Sequence, residues 1–404
     1  AVSVQSPWRV GIAFGEVAGD KVDGEVLPVL LDAEQRAHAQ FAGGFVWSRF
    51  RRYGWKWIDD IDTAGWTCAQ IGQLLAFLPF APETWERSSR LLGGDEAMYW
   101  RTTSANPYEA EADLERAIDP LIQYGRPNAA LRCLNRMLYD KQPLNVAQAV
   151  RALLAALEAS EPAHSMDAYQ TVEIIKALQA TEGASADDLL RVEWAYLPLL
   201  DRHSDGSPKL LWRRLATEPV FFCEVIRLVF WSKQEELPND KPTEEEERIA
   251  GNAYRLLSDW RTPPGYQADG TYDGDAFTQW LDAVKMESSD TGHLEIAMTM
   301  LGHSLIHTPS DPDGLWIHRS AAAALNARDA GDMRDGFRTE LFNSRGVYGF
   351  TSGRAERDLA AKYRAQADEI EAAGFHRVAT TLRELAADYD RDAERESRSD
   401  TFDV

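Results

Sequence analysis

Four residues in the stretch GHSLIHTPSDPDGLWIH, 302–318, have the types and spacing of a metal centre. His303 and His307 stand four residues apart in a stretch of helical periodicity, so both imidazoles project from one face. Asp311 and Asp313 follow closely enough to complete a coordination sphere. Such a set suits zinc or manganese and would make the chain a metal-dependent hydrolase. The zinc-protease pattern, however, requires Glu directly after the first His, and Ser304 stands there. Thr308-Pro309 stops the helix, SDPDG is good turn chemistry, and Asp313 is placed to cap a helix over GLWIHRSAAAALN. A histidine near a helix C-terminus is also favoured by the dipole. The preferred reading is therefore a helix end, a turn and a new cap, with the metal centre as its rival.

A second constellation is SRFRRYGWKWIDD, 48–60, which interleaves Arg49, Arg51, Arg52 and Lys56 with Phe50, Tyr53, Trp55 and Trp57. Cations beside stacking rings serve single-stranded nucleic acids. Trp, Tyr and Arg are also the residues that dominate protein–protein contacts. The plainest reading is an amphipathic helix with rings inward and arginines outward. Of the two functional readings, the protein contact is preferred, with Arg49, Arg51, Arg52, Tyr53, Trp55, Lys56 and Trp57 as the binding residues.

Three other motifs fail on chemistry. In DGTYDGDAFTQW, Asp269, Thr271, Asp273 and Gly274 match the first positions of a calcium loop, but Trp280 stands where a bidentate Glu is needed; a turn before a helix is expected instead. GEVAGDKVDGE lacks the phosphate-loop pattern, because Asp20 separates Gly19 from Lys21 and would repel phosphate. Intrinsic nucleotide hydrolysis is therefore not expected. His203, Ser204 and Asp205 are consecutive, and chain neighbours do not converge as a triad does. Carboxylate pairs are too common in so acidic a chain to carry information.

The chain has 404 residues, 65 acidic against 43 basic, for a formal charge of −22. That charge repels nucleic acids and anionic membrane surfaces in bulk. No apolar run is long enough to span a bilayer, and the first residues, AVSVQSPWRV, do not read as a signal peptide. Cys68, Cys133 and Cys223 are sparse and far apart, which fits a reducing, cytoplasmic setting and small apolar roles inside helices.

The elements that position these residues read as helices almost throughout. Only 8–14 suggests a short strand. DLERAIDPLIQYG carries Leu114, Ile118, Leu121 and Ile122 on one stripe and ends at Gly125; the next helix has Pro127 in its first turn. Ser165 is a candidate cap for SMDAYQTVEIIKALQA. TEPVFFCEVIRLVFW has Thr217 as its candidate cap and apolar residues on most faces, which predicts burial between neighbours. Thr243 and Glu246 have capping-box spacing, so the EEEE run favours the positive end of a helix dipole. Pro79 and Pro82 separate two helices, and Gly374 turns a hairpin. From Ala386 onward charges alternate, predicting a solvated helix that frays into a tail. LPNDKPT and RTPPGYQADGTYDGD are the expected later loops.

Helix–turn–helix pairs start near Asp113, Leu144, Ala186, Glu218, Gly274, Asp313 and Ala355, at irregular spacing, whereas a tetratricopeptide array repeats about every 34 residues. The expected fold is all-α: an N-terminal helical unit over 1–104, then an irregular α-solenoid of stacked hairpins over 105–404, with TTSANPYEAE as the linker. LLAFLPFAPETWERSSRLLGGDEAMYW with YGRPNAALRCLNRML resembles the tetratricopeptide- or HEAT-like C-terminal regions of large bacterial multidomain proteins of the STAND defence type. The resemblance implies a sensor or scaffold region whose effector lies in other domains of a larger chain. The expected function is non-catalytic interaction with a protein partner, with no cofactor and no membrane.

Overall fold

The computed structural model describes residues 6–19, 21–32, 35–110, 112–161, 166–200, 206–234, 241–267, 269–346 and 351–399. The candidate cap Ser165, the His203–Ser204–Asp205 run, Asp20 and most of LPNDKPT lie outside them. The described residues form an all-helical protein; their one β feature is an isolated bridge between Tyr266 and Tyr272. No helix among them is long and apolar enough to cross a membrane.

The chain divides into two compact units, 1–195 and 196–404. The first holds α1 (Pro7–Val17), α2 (Lys21–Glu25), α3 (Leu27–Leu31), α4 (Arg36–Tyr53), α5 (Trp55–Asp60), α6 (Cys68–Ala76), α7 (Pro82–Leu92) and α8 (Ala97–Trp100). It continues through α9 (Glu115–Gln123), α10 (Pro127–Tyr139), α11 (Val146–Ala156), α12 (Asp167–Ala180) and α13 (Ala186–Ala195). The second holds α14 (Lys209–Thr217), α15 (Pro219–Val229), α16 (Glu244–Ser258), α17 (Gly274–Asp290) and α18 (Leu294–Ser304). It ends with α19 (Arg319–Asn326), α20 (Gly331–Asn343), α21 (Arg354–Ala372) and α22 (His376–Ser399).

Helix boundaries follow local chemistry. Pro7, Pro82, Pro127 and Pro219 open helices, where their missing N–H costs nothing. Capping boxes pair Thr67 with Gln70 and Thr243 with Glu246. Gly125 and Gly374 take positive φ after α9 and α21.

The expected strand over 8–14 is instead part of α1. Its Gly11 and Gly15 are buried against α4, and a Cβ on Gly11 would lie 2.1 Å from the Phe41 carbonyl oxygen. A Cβ on Gly44 of α4 would likewise lie 2.1 Å from the Trp8 carbonyl oxygen. The two backbones touch, so helical spacing of glycines, not strand alternation, governs this segment. In the second unit Gly302 of α18 and Gly336 of α20 form a similar crossing, with Cβ positions 2.2 Å from the Met333 oxygen and 2.1 Å from the Thr299 oxygen.

Three other expectations give way. Thr217 is the last residue of α14, and Glu218 stands at the N-cap of α15. α15 buries Phe222, Cys223, Val225 and Ile226 but leaves Val220 and Leu228 exposed, because neighbours cover one side only. The C-terminal segment is packed along α22 as far as Ala393, while the expected tail over 400–404 lies outside the described residues. Ala386, Tyr389 and Ala393 recur at helical spacing on α22 and are buried, with Tyr389 stacked on Tyr363 of α21.

Candidate interaction surface

The 49–57 segment is two helices, not one. Gly54 takes φ +65°, ends α4 by donating its N–H to the Phe50 oxygen (2.7 Å), and starts α5. That break redirects the side chains. Arg49 does not point outward. It is 1% exposed, and its Nε donates to Asp23 Oδ1 of α2 at 3.2 Å. Trp57, also buried, donates Nε1 to Asp23 Oδ2 at 2.9 Å. One carboxylate thus ties α2, α4 and α5 together, because a buried guanidinium requires an anionic partner. The guanidinium carbon of Arg49 also lies 5.5 Å from the Phe45 ring centroid.

The outer layer rests on that knot. Arg51, Arg52, Tyr53 and Lys56 are exposed and Trp55 half-buried. Arg52 donates to the Glu16 carbonyl oxygen (2.8 Å) and lies 5.2 Å from the Tyr53 ring centroid. Trp55 meets Phe50 edge-on at 4.7 Å and carries the Arg87 guanidinium at 4.3 Å. Arg87 and Arg90 both bind Asp59, and the Arg87 hydrogen bond holds that carboxyl below its ordinary range. Lys56 pairs with Asp60 one turn on. Beside this layer lies an open cleft lined by Asp23, Gly24, Tyr53, Lys56, Trp57, Asp60, Ile61 and Asp62.

The histidine constellation separates. His303 near the end of α18 and His307 in the following 3₁₀ turn line one small pocket with Ser258, Asp259, Trp260, Arg261 and Glu340. Burial lowers the pKa of both rings, and for His307 burial with the nearby Arg261 charge brings it to about 4. Asp311 and Asp313 do not line that pocket. Burial would raise the Asp311 pKa, but hydrogen bonds from the Arg319 and Asp313 N–H groups outweigh it and lower it. Asp313 reaches Arg319 at 3.4 Å. The predicted helix cap at Asp313 moves: α19 starts at Arg319, capped by His318 Nδ1 accepting from Ser320 N (3.3 Å), with Asp311 accepting from Arg319 N (2.8 Å). Residues before His318 turn through Gly314 rather than coil. Among the described residues no three His, Cys, Asp or Glu side chains are grouped to hold a metal ion.

In the calcium-like stretch, Asp269 Oδ1 accepts from the Thr271 N–H and hydroxyl, while Asp273 Oδ1 accepts from Asp275 N and Ala276 N and caps α17. Trp280 is buried within α17. Sequence reasoning missed Asp23, which lies 26 residues before its arginine partner, with no local pattern linking them. It also missed the exposed Tyr108 and Tyr139, whose ring centroids lie 4.8 and 5.5 Å from the Arg136 guanidinium carbon. Compared with known protein families, curated proteins and solved structures, the chain matches none.

Proposed function

We propose that this chain is a non-catalytic interaction or sensing module, the helical region of a larger bacterial protein, whose hairpins stack as an irregular solenoid. Its contact face is the α4–α5 corner, where Arg51, Arg52, Tyr53 and Lys56 meet a protein partner. One observation carries this reading. These exposed cations and rings stand on a scaffold pinned by the buried Asp23–Arg49–Trp57 cluster. Rigid support of exposed Arg and Tyr lowers the entropy cost of docking, and such residues dominate binding energy at protein contacts.

The test compares the wild-type chain with an Arg51→Glu, Arg52→Glu, Tyr53→Ala variant as photo-crosslinking baits in the native host. The reading expects specific crosslinked proteins that disappear with the variant while its circular dichroism and urea midpoint stay unchanged. Identical crosslinking profiles from the two baits would remove this face from the proposal.

A further inference from the structure

We propose that the cleft between α2 and the α4–α5 corner is a binding site for an organic cation, an alkylammonium or guanidinium group. The inference deepens the interaction reading by naming the chemistry of one contact on the same face. Two rings, Tyr53 and Trp57, are part of the cleft's lining. Tyr53 is 45% exposed at the edge, and Trp57 lies deeper. The face of such a ring attracts a cation within about 6 Å of its centroid. The rings of this corner already serve in that way, since Arg52 and Arg49 lie 5.2 and 5.6 Å from the Tyr53 centroid and Arg87 lies 4.3 Å from that of Trp55.

The polar lining has the complementary sign. Asp23, Asp60 and Asp62 face the cleft with Lys56 as the lining cation. Asp23 is matched by Arg49 beneath it, and Lys56 is bound to Asp60. Asp62 is oriented by its Oδ1 accepting from Ala64 N at 3.0 Å. The balance at the mouth is therefore negative. With Asp60 engaged by Lys56 and Asp23 by Arg49, an entering anion meets the Asp62 carboxylate, whereas an entering cation meets that carboxylate and a ring. Ile61 adds an apolar surface for an alkyl stem. The deep wall is preorganised, because the N–H bond of Trp57 to Asp23 fixes that side chain. An incoming cation competes with Arg52 and Arg49 for Tyr53; Arg52 retains its bond to the Glu16 carbonyl and Arg49 its bond to Asp23.

A free amine and a partner's lysine or arginine side chain share this chemistry. Calorimetric titration of the full chain at fixed ionic strength, with cadaverine and with the capped peptide Gly-Ser-Arg-Ser-Gly, separates them. Saturable binding of cadaverine alone assigns the site to a free amine; tighter binding of the peptide assigns it to a partner side chain. In either case Asp60→Asn with Asp62→Asn weakens binding at least tenfold, Tyr53→Ala does likewise, and Tyr53→Phe retains it. Glu244→Gln with Glu247→Gln, which removes as much charge from α16, leaves binding unchanged. No saturable binding of either probe overturns the proposal, as does equal weakening by the α16 variant, which would mark mere bulk acidity. Amine binding that persists while the crosslinked proteins are absent would sink the protein-partner reading and leave the cation site standing.

Discussion

At the residue scale, Asp23 does the most with one side chain. Its two oxygens hold Arg49 and Trp57, both buried. Replacing it by Ala removes the carboxylate from a guanidinium whose side chain is 2% exposed. The expected cost is about 3 kcal/mol in urea unfolding, since breaking one side of a buried ion pair leaves a charge poorly compensated. A loss well below about 1 kcal/mol would show that Arg49 is carried by its other neighbours. The histidine pocket gives a pH prediction. Both rings titrate lower in the folded chain than in the unfolded one, His307 at about 4. The folded state therefore binds fewer protons, and the stability this provides is complete above the unfolded value near pH 6.5. It is lost as pH falls from there towards about 4. Because the rings are only half-buried, the loss is discounted to the order of 1–2 kcal/mol. Urea midpoints at pH 7 and pH 5 measure it, and His303→Gln with His307→Gln should flatten the dependence.

At the element scale, glycines divide into those that let helices touch and those that do not. Gly302 and Gly336 bring the backbones of α18 and α20 together. Gly302→Ala should cost at least about 2 kcal/mol, because the added carbon meets a carbonyl oxygen rather than a movable side chain. Gly251 in α16 has open space around its Cβ position. Gly251→Ala should therefore stabilise by roughly 0.5–1 kcal/mol through helix propensity alone. The opposite signs, read by thermal unfolding of the two variants, test whether close backbone approach holds α18 on α20. Caps follow the same logic. Asp273→Ala frees two N–H groups at the start of α17 and should cost about 1 kcal/mol.

At the scale of the whole molecule, each compact unit closes a core of its own. Fully buried Phe45, Phe80 and Ile118 lie in the first, and Phe222, Phe277 and Phe337 in the second. Fragments 1–195 and 196–404 should each give helical circular dichroism and a cooperative urea transition. A fragment without a cooperative transition would show that its core depends on the other half of the chain.

Much of the helical order was legible residue by residue. The Thr243–Glu246 box, the Pro127 start, the Gly125 and Gly374 stops, and the proline break between α6 and α7 all stand where short-range chemistry placed them. Caps, breakers and the 3.6-residue period act over a few residues, so the linear chain carries them in full. What lay beyond it depended on distant partners. Arg49 looked like a surface cation until Asp23 met it from α2. Gly11 and Gly15 obscured a helix because their value lies in a backbone approaching from α4. The charged residues around Tyr389 masked a packed helix because α21 supplies its other side. His303 and His307 line one pocket, but the direction of the chain after Thr308 took Asp311 to the cap of α19 and Asp313 to the Arg319 side chain. Side-chain type and spacing set which chemistries were available; only tertiary packing decided which groups met, because contact energies depend on separations in space that local periodicity does not encode.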